Sequence, residues 1–112
     1  MYPVGIVGES NYQPAVLRCQ PGEVAYICHE QDNPHDPYAL RVENILGETI
    51  GYIARDHWLR SAIHEEGRGT AATILRVSGE EAPWGIVLHV TLTDDHVPSR
   101  TYGQPSPRLK KV

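Results

Sequence analysis

The sequence has little of what marks secreted, metal-binding or membrane-spanning chains. Its 112 residues include only two cysteines, Cys19 and Cys28, which are too few for a disulfide framework and are not spaced as zinc ligands. No apolar run approaches the roughly 20 residues needed to cross a bilayer, and no signal-peptide pattern opens the chain. We therefore expect no membrane partner and a cytoplasmic location, or a nuclear one if the source is eukaryotic.

A basic excess is also lacking, since the formal net charge at pH 7 is -4. Non-specific binding to duplex nucleic acid depends on a surplus of lysine and arginine that releases counterions from the phosphates. The charge balance excludes that mode of binding for the chain as a whole. Any nucleic-acid site must therefore be local.

Catalytic motifs are equally scarce. The sequence contains no Walker loop, no G-x-G-x-x-G, no G-x-S-x-G and no H-E-x-x-H, and we predict no enzyme activity, no cofactor and no metal site. One alternative is a hydrolase centre in which imidazoles and carboxylates hold a divalent ion that activates water, drawn from His29, Asp32, His35 and Asp36. Another is a zinc site from Cys19, Cys28 and His29, which needs a fourth ligand that the sequence does not identify.

The sequence does have the size and composition of one globular domain, with 40% hydrophobic and 21% charged residues. Short β-rich runs separated by turn residues predict a mostly β fold, a small SH3-like or OB-like barrel of five to seven strands with one α-helix. The predicted strands cover residues 4–7, 15–18, 23–29, 39–43, 49–53, 69–78 and 85–93. The helix is expected from about Asp56, a plausible N-cap, to Glu66, with Gly67 ending it.

Composition changes at residue 94. From there the chain has prolines at 98, 105 and 107 and a basic end at residues 108–111. Such a stretch lacks a pattern that could form a core. We therefore predict a barrel domain over residues 1–93 and a proline-rich, basic-ended flexible tail over residues 94–112.

The loop at residues 30–38 organises the rest of the chain. Pro34 and Pro37 fix the backbone and push the residues before them out of the helical region, which predicts an extended, stiffened loop. Asn and Asp beside proline often do no more than form local side-chain-to-backbone turns. A stiff loop that orders the His35 imidazole beside the Asp36 carboxylate can also present a stacking surface and a hydrogen-bond acceptor at low entropic cost.

Three segments of the sequence together resemble the HIRAN domain family. They are residues 6–13, 31–42 and 47–56, and they span most of residues 4–60 in the family's order. The resemblance implies a domain that binds single-stranded DNA and recognises its free 3′-hydroxyl end. It also implies a role in DNA repair or replication-fork processing.

The resemblance also implies roles for individual residues. Asp36 would hydrogen-bond the terminal hydroxyl, and His35 would take the place of the aromatic ring that stacks on the terminal base. Tyr52 and Arg55 would hold the neighbouring base and phosphate. The implied DNA-binding set also includes the loop residues Asn11 and Tyr12, and Tyr38, which is either a second contact surface or a core residue.

A second class of function stays open. HIRAN domains in larger proteins are joined to helicase-like, nuclease or ligase modules, so the resemblance implies helicase or nuclease partner proteins for this chain. The alternative is a protein-interaction or assembly module whose exposed strands pair with a partner or with a second copy in a homodimer. The acidic net charge favours this alternative.

Overall fold

A computed structural model of the chain describes residues 1–104. It contains six strands and two α-helices, with a short 3-10 helix at Glu9–Asn11. The strands are β1 (Tyr2–Gly5), β2 (Val24–His29), β3 (Leu40–Glu43), β4 (Thr49–Tyr52), β5 (Gly69–Ser78) and β6 (Gly85–Thr93), and the helices are α1 (Gln13–Leu17) and α2 (Trp58–His64). The predicted small, mostly β fold of five to seven strands is confirmed.

The six strands form one sheet in the order β1-β6-β5-β2-β3-β4, and every neighbouring pair is antiparallel. The sheet curls into a half-barrel whose two edges meet. Val7, just after β1, donates to Tyr52 O at 2.8 Å and accepts from Tyr52 N at 2.9 Å. This two-bond bridge joins the first strand to the end of β4.

Alternating apolar side chains on the long hairpin of β5 and β6 fill the inside of this half-barrel. The two strands have the bounds that the sequence predicted, and β2 pairs antiparallel with β5 on the edge away from β6. A strand directs successive side chains to opposite faces, so one face of each strand supplies the core. The core residues of these three strands are Ala25, Ile27, Ala72, Ile74, Ile86, Leu88 and Val90.

The segment after the 3-10 helix forms α1 and not the predicted strand at residues 15–18, so the fold has two α-helices where one was predicted. Pro14 lies in the first turn of α1, where proline costs no hydrogen bond and its fixed φ suits a helix. Ala15 and Val16 are buried against the core. A run of only five residues carries too little periodicity for the sequence to distinguish a helix from a strand.

Helix α2 is shorter than predicted and begins later than Asp56. Its N-cap is His57, whose backbone is extended and whose Nδ1 accepts a hydrogen bond from Leu59 N at 3.1 Å. Histidine seldom serves as an N-cap, so the sequence favoured the aspartate before it. Gly67, with a φ of +69°, follows the helix as predicted.

A cluster of buried charges lies on the outer side of β3. Arg41 is 1% exposed and bonds Glu30 Oε2 at 3.0 Å and Glu43 Oε2 at 2.6 Å. Because side chains alternate along a strand, Arg41 and Glu43 share the polar face of β3, opposite Leu40 and Val42. That face is nevertheless buried, because a later segment of the chain covers it.

The covering segment is residues 98–104, which we call the C-terminal strap. Its backbone flanks β2, with His29 N donating to Pro98 O at 2.8 Å and Arg100 N donating to His29 O at 2.9 Å. Arg41 Nη1 donates to Gln104 O at 2.9 Å. The boundary predicted at residue 93 therefore lies too early, because backbone groups and a buried arginine, rather than an apolar pattern, hold the strap. The rest of the predicted tail, residues 105–112, lies outside the described residues.

Neither α-helix could cross a bilayer. In the part of the chain that the structure describes, no helix has the length and apolar character that a membrane span requires.

Candidate nucleic-acid interface

The loop between β2 and β3 is a series of tight turns. The backbone N–H groups of Asn33, Asp36 and Ala39 each donate to the carbonyl three residues earlier, at 3.0, 3.3 and 3.1 Å. In addition, Asn33 Oδ1 accepts from His35 N at 2.8 Å, and Asp36 Oδ1 accepts from Tyr38 N at 3.0 Å. The loop is not the extended segment that its two prolines predicted, because the Asn and Asp side chains bond the backbone and fold it locally.

A cavity of about 190 Å³, the loop cavity, opens between this loop and the end of β4. It is lined by Val7, Asn33, His35, Asp36, Ala39, Tyr52, Ile53 and Arg55. Four of the DNA-binding residues that the sequence predicted belong to this set, namely His35, Asp36, Tyr52 and Arg55. The Val7–Tyr52 bridge brings Val7 beside Tyr52 in the wall of this cavity.

Asp36 is held by an arginine that the sequence analysis did not identify. Arg60, on α2, donates from Nη1 to Asp36 Oδ2 at 2.8 Å and from Nη2 to Asp36 Oδ1 at 3.1 Å. Burial alone would raise the pKa of Asp36, but hydrogen bonds from Arg60 and from Tyr38 N, with the nearby charges of Arg60 and Arg55, lower it below its ordinary value. Asp36 is therefore ionised at neutral pH and fixed in orientation.

Arg55 lies at the rim of the loop cavity with its side chain 72% exposed. Its Nη2 donates to His35 O at 2.8 Å, and its Nε is 3.5 Å from Asp36 Oδ2. A guanidinium carries five N–H donors. Arg55 therefore has donors left to offer a phosphate while it is anchored to the loop.

Tyr52 lines the loop cavity, and its hydroxyl bonds a residue outside that cavity. The hydroxyl donates to Glu30 Oε1 at 2.7 Å, and burial, followed by the neighbouring Glu30 carboxylate, raises the pKa of Tyr52 well above its ordinary value. The Tyr12 ring lies 6.3 Å from the Tyr52 ring, centroid to centroid. Tyr12 and Tyr52 also line a second cavity of about 430 Å³, the strap cavity, together with Tyr102.

Three of the predicted DNA-binding residues are not part of the loop cavity. Tyr12 belongs to the strap cavity, and Asn11 is exposed in the 3-10 helix. Tyr38 is 57% exposed and lines a third cavity of about 580 Å³, the helix cavity, beside α2. Its exposure excludes the alternative that Tyr38 is a core residue.

Two further residues at the site were missed by the sequence analysis. Arg60 follows Asp36 by 24 residues, and nothing local in the sequence links them. Tyr102 lies in the segment assigned to the tail. Its backbone N donates to Asp32 Oδ1 at 2.9 Å, which brings its ring to 6.2 Å from the His35 ring. An aromatic residue within a proline-rich segment was the only signal available for Tyr102.

The alternative metal centres are not assembled. Each of three candidate ligands has another partner: His29 Nε2 bonds Pro37 O at 2.8 Å, Asp32 bonds Tyr102 N, and Asp36 bonds Arg60. Cys19 and Cys28 are both buried. Among residues 1–104, no three histidine, cysteine or carboxylate side chains come together in a way that could hold a metal ion.

Comparison with known proteins gives consistent results. The model of the HIRAN domain family matches residues 4–87. The crystal structure of the HIRAN domain of human HLTF is similar to this chain with a TM-score of 0.63 and 19% identity, covering 81% of this chain and 73% of that one. A protein from Lactobacillus plantarum is similar with a TM-score of 0.63 and 18% identity, covering 83% of this chain and 93% of that one. At these identities the two structures show the shared fold. No curated protein sequence matches the chain significantly.

Proposed function

This chain belongs to the HIRAN domain family, and from that membership we propose that it binds single-stranded DNA and recognises a free 3′-hydroxyl end in DNA repair or replication-fork processing. Membership of the family, together with the fold shared with the HLTF domain, supports nucleic-acid binding in general. The recognition of a 3′ end is the finer part of the proposal. It is supported by the chemistry of the loop cavity.

The observation that carries the proposal is the convergence of four side chains on the loop cavity. An ionised carboxylate and an imidazole from the loop after β2, with a tyrosine and an arginine from the end of β4 and the residues after it, line about 190 Å³. Aromatic faces accept any base by stacking, and arginine binds the backbone phosphates. In this proposal His35 and Tyr52 contact bases, and Arg55 contacts the phosphate next to the terminal nucleotide.

Asp36 is suited to accept a hydrogen bond from a hydroxyl. A carboxylate has about four acceptor positions. Oδ1 already accepts from Arg60 and Tyr38 N, whereas Oδ2 accepts one hydrogen bond from Arg60. The proposal therefore places the terminal hydroxyl on Oδ2.

Discrimination against a 3′ phosphate follows from donors and acceptors rather than from net charge. Arg55 and Arg60 both lie beside Asp36, so the group as a whole does not repel an anion. A terminal phosphate is largely dianionic above a pKa of about 6 and then has no proton to donate to Oδ2. A hydroxyl has one.

A binding experiment with two variants tests this assignment. Fluorescence anisotropy would compare a short single strand ending in a 3′ hydroxyl with the same strand ending in a 3′ phosphate. We expect the parent to prefer the hydroxyl and Asp36→Asn to lose at least about tenfold in affinity for it, since a hydrogen bond to a charged group contributes about 1.5–3 kcal/mol. The matched control is Asp32→Asn, which makes the same charge change in the same loop outside the loop cavity and should bind like the parent.

The same titrations separate DNA binding from the alternative of a protein-interaction module. Phosphate contacts weaken as salt rises: the logarithm of the binding constant falls with the logarithm of the salt concentration, with a slope of about −0.7 per contact for single strands. Apolar strand pairing does not weaken in this way. With Arg55 as the exposed cation of the loop cavity, the slope should be shallow but measurable. No binding to either strand at low salt would retire the DNA proposal in favour of a protein partner or a homodimer.

A further inference from the structure

The helix cavity adjoins the loop cavity and shares one residue with it, Arg55. It is lined by Tyr38, Arg55, Asp56, His57, Trp58, Arg60, Ser61, His64 and Glu65. Arg55, which the proposed function assigns to a phosphate, therefore lies between the loop cavity and the helix cavity. A ligand that leaves the loop cavity past Arg55 enters the helix cavity.

Trp58 is the largest aromatic side chain in the helix cavity and is 44% exposed. The buried residues of α2 are Leu59, Ala62 and Ile63, and Trp58 is not among them. Two neighbours fix the Trp58 ring: Tyr2 meets it edge-on at 4.9 Å, and His57 lies tilted beside it at 5.5 Å. A rigid, half-exposed indole is a stacking surface that loses little entropy on binding.

The helix cavity and the strap cavity differ in the positive charge that they offer to the phosphates of a DNA strand leaving the loop cavity. The helix cavity includes Arg55, whose side chain is 72% exposed, and Arg60, which is already paired with Asp36. The carboxylates of Asp56 and Glu65 also line it. The strap cavity, which Tyr52 also lines, has no lysine or arginine in its lining among the residues that the structure describes, and its carboxylates, Glu30 and Glu48, are already paired with Arg41 and Arg18. A DNA backbone leaving the loop cavity is therefore favoured toward the helix cavity.

We propose that the helix cavity is a further nucleotide subsite, in which a base on the 5′ side of the last two nucleotides stacks on Trp58 after the strand has crossed Arg55. This subsite rests on the proposed function, because its occupant is the same strand whose 3′ end lies in the loop cavity. It extends the contact from the strand's end to its interior. Trp58 provides sequence-tolerant affinity there, since every base has a stacking face.

A length series tests the subsite separately from the end pocket. Oligothymidines with a free 3′ hydroxyl would be extended at the 5′ end from two to eight nucleotides and titrated against the full chain. We expect the parent's affinity to rise with length, and Trp58→Ala to keep the parent's affinity for the dinucleotide while losing about tenfold for the longest strand. Trp58→Phe, which keeps an aromatic face, should restore most of the gain.

Extension with abasic nucleotides distinguishes stacking from phosphate contact. An abasic extension should give the parent little of the gain that a thymidine extension gives. The subsite is overturned if Trp58→Ala loses equal affinity for the shortest and longest strands, or if the parent gains nothing from extension while still binding the dinucleotide. Failure of the parent to bind any length at low salt is a different outcome, which overturns the proposed function and this subsite with it.

Discussion

The guanidinium of Arg60 and the carboxylate of Asp36 form a two-point ion pair, with N···O distances of 2.8 and 3.1 Å. The two side chains are 15% and 13% exposed. This pair joins the loop after β2 to helix α2. The acceptor that the proposed function depends on is therefore positioned by a residue outside the loop and outside the loop cavity.

Replacing Arg60 should change end recognition more than general DNA binding. In Arg60→Met the Asp36 carboxylate loses both hydrogen bonds from Arg60 and keeps the one from Tyr38 N. We expect the preference for a 3′ hydroxyl over a 3′ phosphate to fall. The free energy of unfolding should drop by about 1–3 kcal/mol. Arg60→Lys, which keeps the charge but not the two-point geometry, should recover part of each loss. The ratio of the two affinities, measured by anisotropy, separates positioning from stability, and an unchanged ratio in Arg60→Met would argue against a positioning role.

The parts of the structure that the sequence predicted are those encoded by local patterns. The β5–β6 hairpin consists of two β-rich runs of ten and nine residues, and its bounds were found correctly. His35, Asp36, Tyr52 and Arg55 were identified through the family resemblance, and the fold brings them together. Burial was harder to predict for Arg41, since its position on β3 is polar by alternation and becomes buried only because the C-terminal strap covers it.

The two residues of the site that the sequence analysis missed, Arg60 and Tyr102, reach it through contacts between distant segments of the chain. Arg60 contacts Asp36, and Tyr102 lies near His35, because the folded half-barrel and the strap bring distant segments of the chain together. Neither contact leaves a periodic signal. Helix α1 escaped prediction for a different reason, because its five residues span little more than one turn.

The buried cluster on β3 predicts a large difference between two arginine substitutions. In Arg41→Met, Glu30 and Glu43 would lose their shared cation while staying buried, and breaking such a pair costs about 3–5 kcal/mol. Arg18→Met removes an exposed pair with Glu48, which should cost no more than about 1 kcal/mol. Urea unfolding of the two variants measures both effects. Equal and small losses would show that the remaining neighbours of Glu30 and Glu43 can replace Arg41.

His64 predicts a loss of stability in mild acid. Its Nε2 lies 2.9 Å from Tyr38 O and its ring 4.6 Å from that of His29. Burial, with the nearby His29 and Arg60, lowers its pKa, although the bond to Tyr38 O and the charge of Asp36 act in the opposite direction. The pKa of His64 in the folded chain lies below the unfolded value of about 6.5. Between these two pKa values the unfolded chain binds more protons than the folded chain, so stability falls as the pH falls from about 6.5 toward the folded pKa.

The measurement is the urea midpoint of the parent and of His64→Gln between about pH 8 and pH 5. The glutamine amide can donate to Tyr38 O without titrating, so the variant should lose less stability on acidification. Some loss should remain, since burial also lowers the pKa of His57. Parallel curves for the parent and the variant would assign the acid sensitivity to other groups.

Tyr52 offers a test of whether the loop cavity uses a ring or a hydroxyl. Its hydroxyl is bonded to Glu30 Oε1, which also accepts from Asn33 Nδ2 at 3.2 Å. Tyr52→Phe keeps the ring in the cavity and removes the donor to a buried carboxylate, so it should lower the free energy of unfolding by about 1–3 kcal/mol. Its DNA affinity should stay close to the parent's.

Tyr52→Leu removes the aromatic face as well, and its affinity for a short 3′-hydroxyl strand should fall by about tenfold, the size expected for one lost base–ring stack. Unfolding curves and anisotropy on the same preparations would separate the two effects. If Tyr52→Phe lost as much DNA affinity as Tyr52→Leu, the contribution would lie in the bond to Glu30. Tyr52 would then act by holding the loop beside β4 and not by stacking on a base.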